Sequence, residues 1–183
     1  LNAGTLDRSF NQASGADAAI NSVAFNAGGQ LVIGGQFTNV NGVARARLAR
    51  FNLDGTLDTA FVPAALLPVQ TVIASVAVDR NTNSFLTANI GKVVIGGTFT
   101  NVGGLTRGRV ARLNADGTLD NTFLNGLAGA DNTVEALAAQ SDGKVLLVGS
   151  FSSVNGVARG GIARLNADGT LDTAFLSGLS GAD

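Results

Sequence analysis

The stretch NADGTLDNTF, residues 114–123, decides the fold because most of it returns along the chain. Its core, Gly-Thr-Leu-Asp-x-x-Phe, occurs four times, and the copies end at Phe10, Phe61, Phe123 and Phe175. These phenylalanines are 51, 62 and 52 residues apart. Two arginine series, at positions 50, 112 and 164 and at positions 45, 107 and 159, return with the last two of those intervals. Independent motifs that keep one phase indicate internal repeats.

The phase divides the 183 residues into one continuous repeat domain. It consists of the tail of a preceding repeat (1–17), repeat 1 (18–69), repeat 2 (70–131) and repeat 3 (132–183). The basic unit has about 52 residues, and repeat 2 is longer because of its segment 79–90, which we predict to form an extended hairpin. Because the chain begins at Leu1 and not at methionine, we expect a processed product or a piece of a longer chain.

Within a repeat, the hydrophobic pattern has the period of two that is typical of β-strands. In repeat 3 it predicts short strands from Val134 onward and over 145–151, 161–165 and 171–175, separated by turns at Asp142-Gly143, Asn155-Gly156 and Asp168-Gly169. No segment shows a sustained helical period, so we expect almost no helix. The sequence therefore predicts an all-β, β-propeller-like array of four-stranded antiparallel blades, with an open β-solenoid as the alternative. Three blades are fewer than the four to eight that close a propeller, so closure requires more chain or another copy.

Composition excludes several classes of function. With 12 basic and 13 acidic residues the net charge is −1, which argues against a nucleic-acid surface. The chain lacks His, Cys, Met, Trp and Tyr, and thereby the usual general base, thiol nucleophile and zinc ligands. We predict no catalytic, cofactor-binding or metal site and no enzymatic activity, leaving open calcium bound by oxygen ligands and catalysis by paired carboxylates. The sequence contains no uncharged apolar run of about 18 residues, so it predicts no transmembrane segment.

Two recurring motifs invite a functional interpretation that we weigh against a structural one. The Asn-x-Asp-Gly-Thr-Leu-Asp loops resemble calcium loops, but the bidentate glutamate is missing, and Glu135 is the only Glu in the chain. A hairpin turn is the favoured interpretation of these loops. The glycines at 34–35, 96–97 and 149 precede no helix, so close packing or a β-bulge is favoured over a phosphate site.

The charged and aromatic repeats predict internal contacts. We expect Arg50, Arg112 and Arg164 to form ion pairs with Asp58, Asp120 and Asp172 across a hairpin. A three-residue loop over 54–56 would place Phe51 opposite Thr59, with each arginine diagonal to its aspartate. The repeating phenylalanines predict a core between neighbouring blades.

The stretch GGTFTNVGG (96–104), followed by Arg107 and ARLNADGTLD (111–120), resembles the delta-sixty repeat family. The resemblance covers nearly the whole chain. It implies a propeller-like fold within large secreted or surface proteins, and it implies no reaction.

These observations favour a structural or adhesive repeat module of a larger extracellular or cell-surface assembly that acts through protein–protein contacts. The alternative is a propeller that binds a ligand, either a glycan or calcium. We expect the partners to be other copies or other parts of a longer repeat chain, and the protein to be an oligomer or a fragment of an assembly. The candidate partner contact is formed by Asn83, Phe85 and Leu86 in the extended hairpin, and the candidate inter-chain strand by Leu6, Asp7 and Phe10.

Overall fold

The computed structural model describes residues 5, 10, 13–67, 71–78 and 91–176. Strands, bridges and turns make up the regular structure of these residues, and no helix occurs among them, which confirms the all-β prediction. A helix long and apolar enough to cross a membrane is correspondingly absent from the described ranges. The strands are β1 (Ile20–Phe25), β2 (Leu31–Gly35), β3 (Asn39–Val40), β4 (Val43–Ala44), β5 (Leu48–Phe51), β6 (Leu66–Leu67), β7 (Ile73–Val78), β8 (Val93–Gly97), β9 (Asn101–Val102), β10 (Leu105–Thr106), β11 (Val110–Leu113), β12 (Val134–Ala139), β13 (Val145–Gly149), β14 (Ser153–Val154), β15 (Val157–Ala158) and β16 (Ile162–Leu165).

Each repeat forms one antiparallel three-stranded sheet in which the continuous apolar run is the central strand. The sheets have the strand orders β1-β2-β5, β7-β8-β11 and β12-β13-β16. Strand β8 is buried along its whole length, as expected for a central strand covered on both faces. The three predicted strands of repeat 3 that begin at Val134, Val145 and Gly161 are thus confirmed as β12, β13 and β16.

The fourth strand of each predicted blade is reduced to one bridge. Leu57, Leu119 and Leu171 each form a single antiparallel bridge to the end of β5, β11 or β16. In repeat 1, the chain leaves the sheet directly afterwards because the Asp58 carboxylate accepts the Ala60 N–H at 2.9 Å. A side chain thereby satisfies a backbone donor that would otherwise need a strand partner.

The register of this hairpin also differs from the prediction. Phe51 pairs with Leu57 instead of Thr59, and the Asp58 N–H donates to the Arg50 carbonyl at 2.8 Å. The loop keeps three residues but begins one residue earlier, because the Asn52 N–H donates to the Thr56 carbonyl at 2.8 Å. The Asp54 carboxylate holds this turn by accepting both the N–H and the hydroxyl of Thr56, at 2.9 and 2.7 Å. Arg50 and Asp58 therefore lie directly opposite each other and not on a diagonal.

A β-bulge at the start of each sheet explains the second glycine of the glycine pairs. The pairing shifts between Ile73 and Ser75 in repeat 2, and equivalent shifts occur in β1 and β12. A Cβ at Gly97 would overlap the backbone carbonyl of Val72, and Gly35 and Gly149 meet the same obstacle. The bulge therefore requires glycine in all three repeats.

Each sheet is accompanied by a short outer hairpin that the preceding sequence unit extends. The hairpins are β3–β4, β9–β10 and β14–β15. Strand β6, which ends the preceding unit, pairs with β9, while Ala16 and Ala130 form bridges with Val40 and Val154.

The core lies between successive repeats. One buried cluster joins Phe61 of repeat 1 to Phe99 of repeat 2, and a second joins Phe123 of repeat 2 to Phe151 of repeat 3. These four rings are at most 2% exposed, which confirms the prediction of a phenylalanine core between neighbouring repeats.

Candidate functional site: the interface between repeats

The first strands of the three sheets, β1, β7 and β12, pack side by side. The Ser22 hydroxyl on β1 accepts a hydrogen bond from the Val76 N–H on β7 at 3.0 Å. One repeat further on, the Ser75 hydroxyl accepts the Leu137 N–H at 3.0 Å. A serine of one repeat therefore satisfies a backbone donor of the next repeat at two successive junctions.

The first glycine of each glycine pair makes room for the same contact. A Cβ at Gly34 would lie 2.5 Å from Val76 Cγ2 and 2.6 Å from Ile73 Cγ2. A Cβ at Gly96 would lie 2.7 Å from Val134 Cγ1 and 3.1 Å from Leu137 Cδ1. These distances are well below van der Waals contact, so the next repeat can approach this closely only over glycine.

Serine and glycine are cross-strand partners and form one unit, the serine–glycine pair. Ser22 faces Gly34, and Ser75 faces Gly96. The equivalent partners in repeat 3 are Ala136 and Val148, which provide neither the hydroxyl nor the space.

Each repeat also contains an arginine, an aspartate and a phenylalanine in mutual contact, which we call its charge cluster. The Arg50, Arg112 and Arg164 Nε atoms donate to their partner aspartates at 2.8, 2.6 and 2.8 Å, which confirms the predicted pairs. Each guanidinium also lies 4.6–4.7 Å from the ring centroid of Phe61, Phe123 or Phe175. Stacking of this kind adds a cation–π attraction to the ion pair.

A further member of the charge cluster was missed by sequence reasoning. Lys92 Nζ donates to Asp120 at 2.7 Å, and Lys144 Nζ donates to Asp172 at 2.8 Å. Gln30 holds the same position in repeat 1 and donates to Asp58 at 3.2 Å. The three positions share the repeat phase, and this signal could have found them.

These donors set the titration of the aspartates. Burial by itself raises the pKa of Asp120, but hydrogen bonds from Lys92, Thr122 and Arg112 hold that pKa well below its usual value. The hydrogen bond from Lys144 is the main cause that lowers the pKa of Asp172 to about 2. Both groups are therefore carboxylates at neutral pH.

The same arginines connect consecutive repeats. Arg50 Nη1 donates to the Ala115 carbonyl of repeat 2 at 2.6 Å, and Arg112 Nη1 donates to the Ala167 carbonyl of repeat 3 at 2.6 Å. The Arg164 side chain, by comparison, is 24% exposed against 6% for Arg112. Within the described residues, Arg164 donates only to Asp172.

The second arginine series has a different environment. Arg45, Arg107 and Arg159 each donate through Nη1 to the carbonyl of the preceding residue. Their Nε atoms are buried and find no hydrogen-bond partner in the described part of the chain. Burial lowers the pKa of Arg107, while the charge of Asp120 opposes that shift.

The Asp-Gly loops are confirmed as turns. Asp54, Asp116 and Asp168 each bind the N–H and the hydroxyl of the threonine two residues later, at 2.9 and 2.7 Å. The same hydrogen bonds lower the pKa of each of these aspartates. Among the residues that the structure describes, no three acidic side chains come together as metal ligands would.

The two ends of the stack differ from its interior. Ile20, Val23 and Phe25 on β1 are 48%, 57% and 51% exposed. Their counterparts Ile73 and Val76 on β7 are 0% and 5% exposed, because repeat 1 covers them. We call the surface of Ile20, Val23 and Phe25 the leading face of repeat 1, and the surface of Ala136 and Val148 the trailing face of repeat 3. Val148 is 46% exposed.

The partner contacts predicted from the sequence stay predictions. Asn83, Phe85, Leu86, Leu6 and Asp7 lie outside the described residues. Phe10 is described: it is 40% exposed, and its ring centroid lies 6.3 Å from that of Phe51. The structure thus places Phe10 against repeat 1.

Repeated antiparallel sheets that pack through a shared core define the chain as a repeat protein of the β-propeller class. It belongs to the family described as "Domain of unknown function (DUF5122) beta-propeller", whose matches at residues 29–61, 91–123 and 140–175 cover more than half of the chain. No curated protein matches the chain significantly.

A solved structure with some similarity is the extracellular domain of a putative one component system from B. thetaiotaomicron. The alignment covers 87% of this chain at 13% identity, with a TM-score of 0.36. The chain spans only 22% of the length of that domain.

Proposed function

We propose that the chain is a non-enzymatic structural or adhesive module of a larger extracellular or cell-surface assembly, and that it acts through protein–protein contacts. Each repeat would be one blade of a propeller-like array of the delta-sixty type, with the single bridge as a rudimentary fourth strand. Further repeats, from the same protein or from other copies, would complete the array. The absence of Cys and Met suits an exposed, oxidising location.

The leading face of repeat 1 is the observation that carries this proposal. Three large apolar side chains lie together on β1, and each is about half exposed. The same positions in β7 are covered by a neighbouring repeat. Exposed apolar patches that have covered counterparts in the same molecule are typical of protein contacts.

Single cysteines can test the contact and the location, because the chain has no cysteine of its own. Val23→Cys places a thiol on the leading face, and Leu53→Cys places one on a loop where the native side chain is 72% exposed. Both variants are labelled with a membrane-impermeant maleimide, once as purified chains and once on intact cells that produce the protein. We expect both purified chains to react, and on cells only Leu53→Cys to react rapidly.

Two results would contradict the proposal. An unlabelled Leu53→Cys on intact cells would refute the extracellular location. Equal labelling of Val23→Cys on cells and in the purified chain would refute a protein contact at the leading face. A rise in the melting temperature on adding calcium would then favour the ligand-binding alternative.

A further inference from the structure

The interface between repeats also indicates which kind of partner the leading face accepts. This inference rests on the proposed function and deepens it. We propose that the leading face of repeat 1 binds a sheet that carries the serine–glycine pair, and that the trailing face of repeat 3 is not such a sheet.

The first part follows from two junctions inside the chain. Val76 and Leu137 hold the same position in the bulged first strand, opposite Ile95 and Leu147. Each of them donates its N–H to a serine of the preceding repeat and packs over that repeat's glycine. Val23 holds the same position in β1, opposite Ile33. Its apolar side chain is 57% exposed, so repeat 1 presents the surface that repeats 2 and 3 bury.

The second part follows from the pair in repeat 3. Ala136 has no hydroxyl to accept the N–H of an arriving first strand. Val148 stands where a single Cβ would already lie 2.5–2.7 Å from the arriving side chains. Repeat 3 thus has alanine in place of the serine and valine in place of the glycine. Either replacement alone would oppose the packing seen at the two internal junctions.

A consequence is that two copies of this chain do not stack head to tail in the way its own repeats do. The partner of the leading face is instead a repeat of the same family that carries serine and glycine at these two cross-strand positions. The partner of the trailing face must have a small residue opposite Val148. It must also have no backbone N–H that depends on a side-chain acceptor at position 136, because alanine offers none. The junctions of an array are then chemically distinct, and this distinction fixes which repeat follows which.

The experiment converts one trailing face into the proposed partner. The probe is the chain with Ala136→Ser and Val148→Gly, which restores the pair, and with Val23→Asp, which blocks the probe's own leading face. The matched control is Val23→Asp alone, whose trailing face is native. Val23 is exposed in the chain, so the aspartate is tolerated in the free protein and costs affinity only when that face is covered.

Wild-type chain is mixed with the probe or with the control at about 100 μM of each, because a complex with a Kd of about 10 μM is largely formed at that concentration. Sedimentation velocity then measures how much complex each mixture contains. We expect a 1:1 complex with the probe and at least about ten-fold weaker association with the control. Far-ultraviolet circular dichroism checks that all three proteins are folded.

Association of the wild-type chain with the control as strong as with the probe would overturn the proposal, because the serine–glycine pair would then be irrelevant. Absence of a complex between folded wild type and folded probe would overturn it as well. Either failure leaves the labelling of Val23→Cys on cells unaffected, so it is separable from a failure of the proposed function.

Discussion

Removal of the Asp120 carboxylate provides the most direct test of how the charge cluster stabilises the array. The Asp120 side chain is 4% exposed and binds Lys92 at 2.7 Å and Arg112 at 2.6 Å. In Asp120→Ala these two cations lose their carboxylate, and breaking a buried pair in this way costs about 3–5 kcal/mol. Arg112 keeps the Ala167 carbonyl and the Phe123 ring, so we expect the lower end, about 3 kcal/mol.

A loss of that size would lower the melting temperature by about 6–12 °C in a domain of this length. Urea unfolding followed by far-ultraviolet circular dichroism measures the free energy of unfolding, since the chain has no Trp or Tyr for fluorescence. The matched control is Asp116→Ala, which removes an exposed carboxylate of the adjacent turn and should cost less than about 1 kcal/mol.

The double variant Arg112→Ala, Asp120→Ala completes a mutant cycle. We expect a coupling of at least about 1 kcal/mol, because the second substitution removes one of the cations that the first left unpaired. A coupling indistinguishable from zero would refute the argument, and so would an Asp120→Ala variant as stable as Asp116→Ala.

Three further predictions concern the free energy of unfolding. Gly97→Ala should cost more than about 2 kcal/mol, because the added Cβ would overlap backbone atoms. The control Gly28→Ala should cost less than about 1 kcal/mol, since its Cβ would have only the Asn26 side chain nearby, at 3.4 Å. Equal losses of free energy in urea unfolding would contradict the argument that the bulge requires glycine. The free energy of unfolding should be level from pH 8 to 5 and fall below about pH 4, because the pKa of Asp120 is lower in the folded chain and the unfolded chain therefore binds the proton first as the pH drops. In Asp120→Asn this acid-induced fall should be shallower than in the wild type, and an equally steep fall would contradict the argument. Arg107→Met should cost less than Arg112→Met, because buried Arg107 forms no ion pair among the described residues, whereas Arg112 forms one with Asp120 at 2.6 Å. The reverse order in thermal unfolding would contradict this argument.

The periodic features of the fold could be predicted from the sequence, and the details of register could not. The pairs of Arg50 with Asp58 and of its repeats were predictable because both charges recur in one phase on one strand face. Strand parity fixes that face but not the opposite residue, so the pair was correct although Phe51 pairs with Leu57 and not with Thr59.

Contacts between repeats were the part that the sequence concealed. The glycines were recognised as packing positions, but Ser22 and Ser75 were not connected with them, because the partner N–H groups lie 54 and 62 residues further along. Lys92 was missed because glutamine replaces lysine at position 30 and breaks the charge pattern.

The outer hairpins have a consequence for how such genes change in length. The end of each sequence unit pairs with the hairpin of the following unit, as β6 does with β9 and Ala130 does with Val154. Where the end of a unit is described, it thus contributes a short strand or a single bridge to the hairpin of the following unit. Unequal recombination that adds or removes a whole period, wherever its breakpoints fall within the unit, therefore leaves every internal hairpin covered. An array built this way can lengthen or shorten by whole repeats without exposing an unpaired backbone edge in its interior.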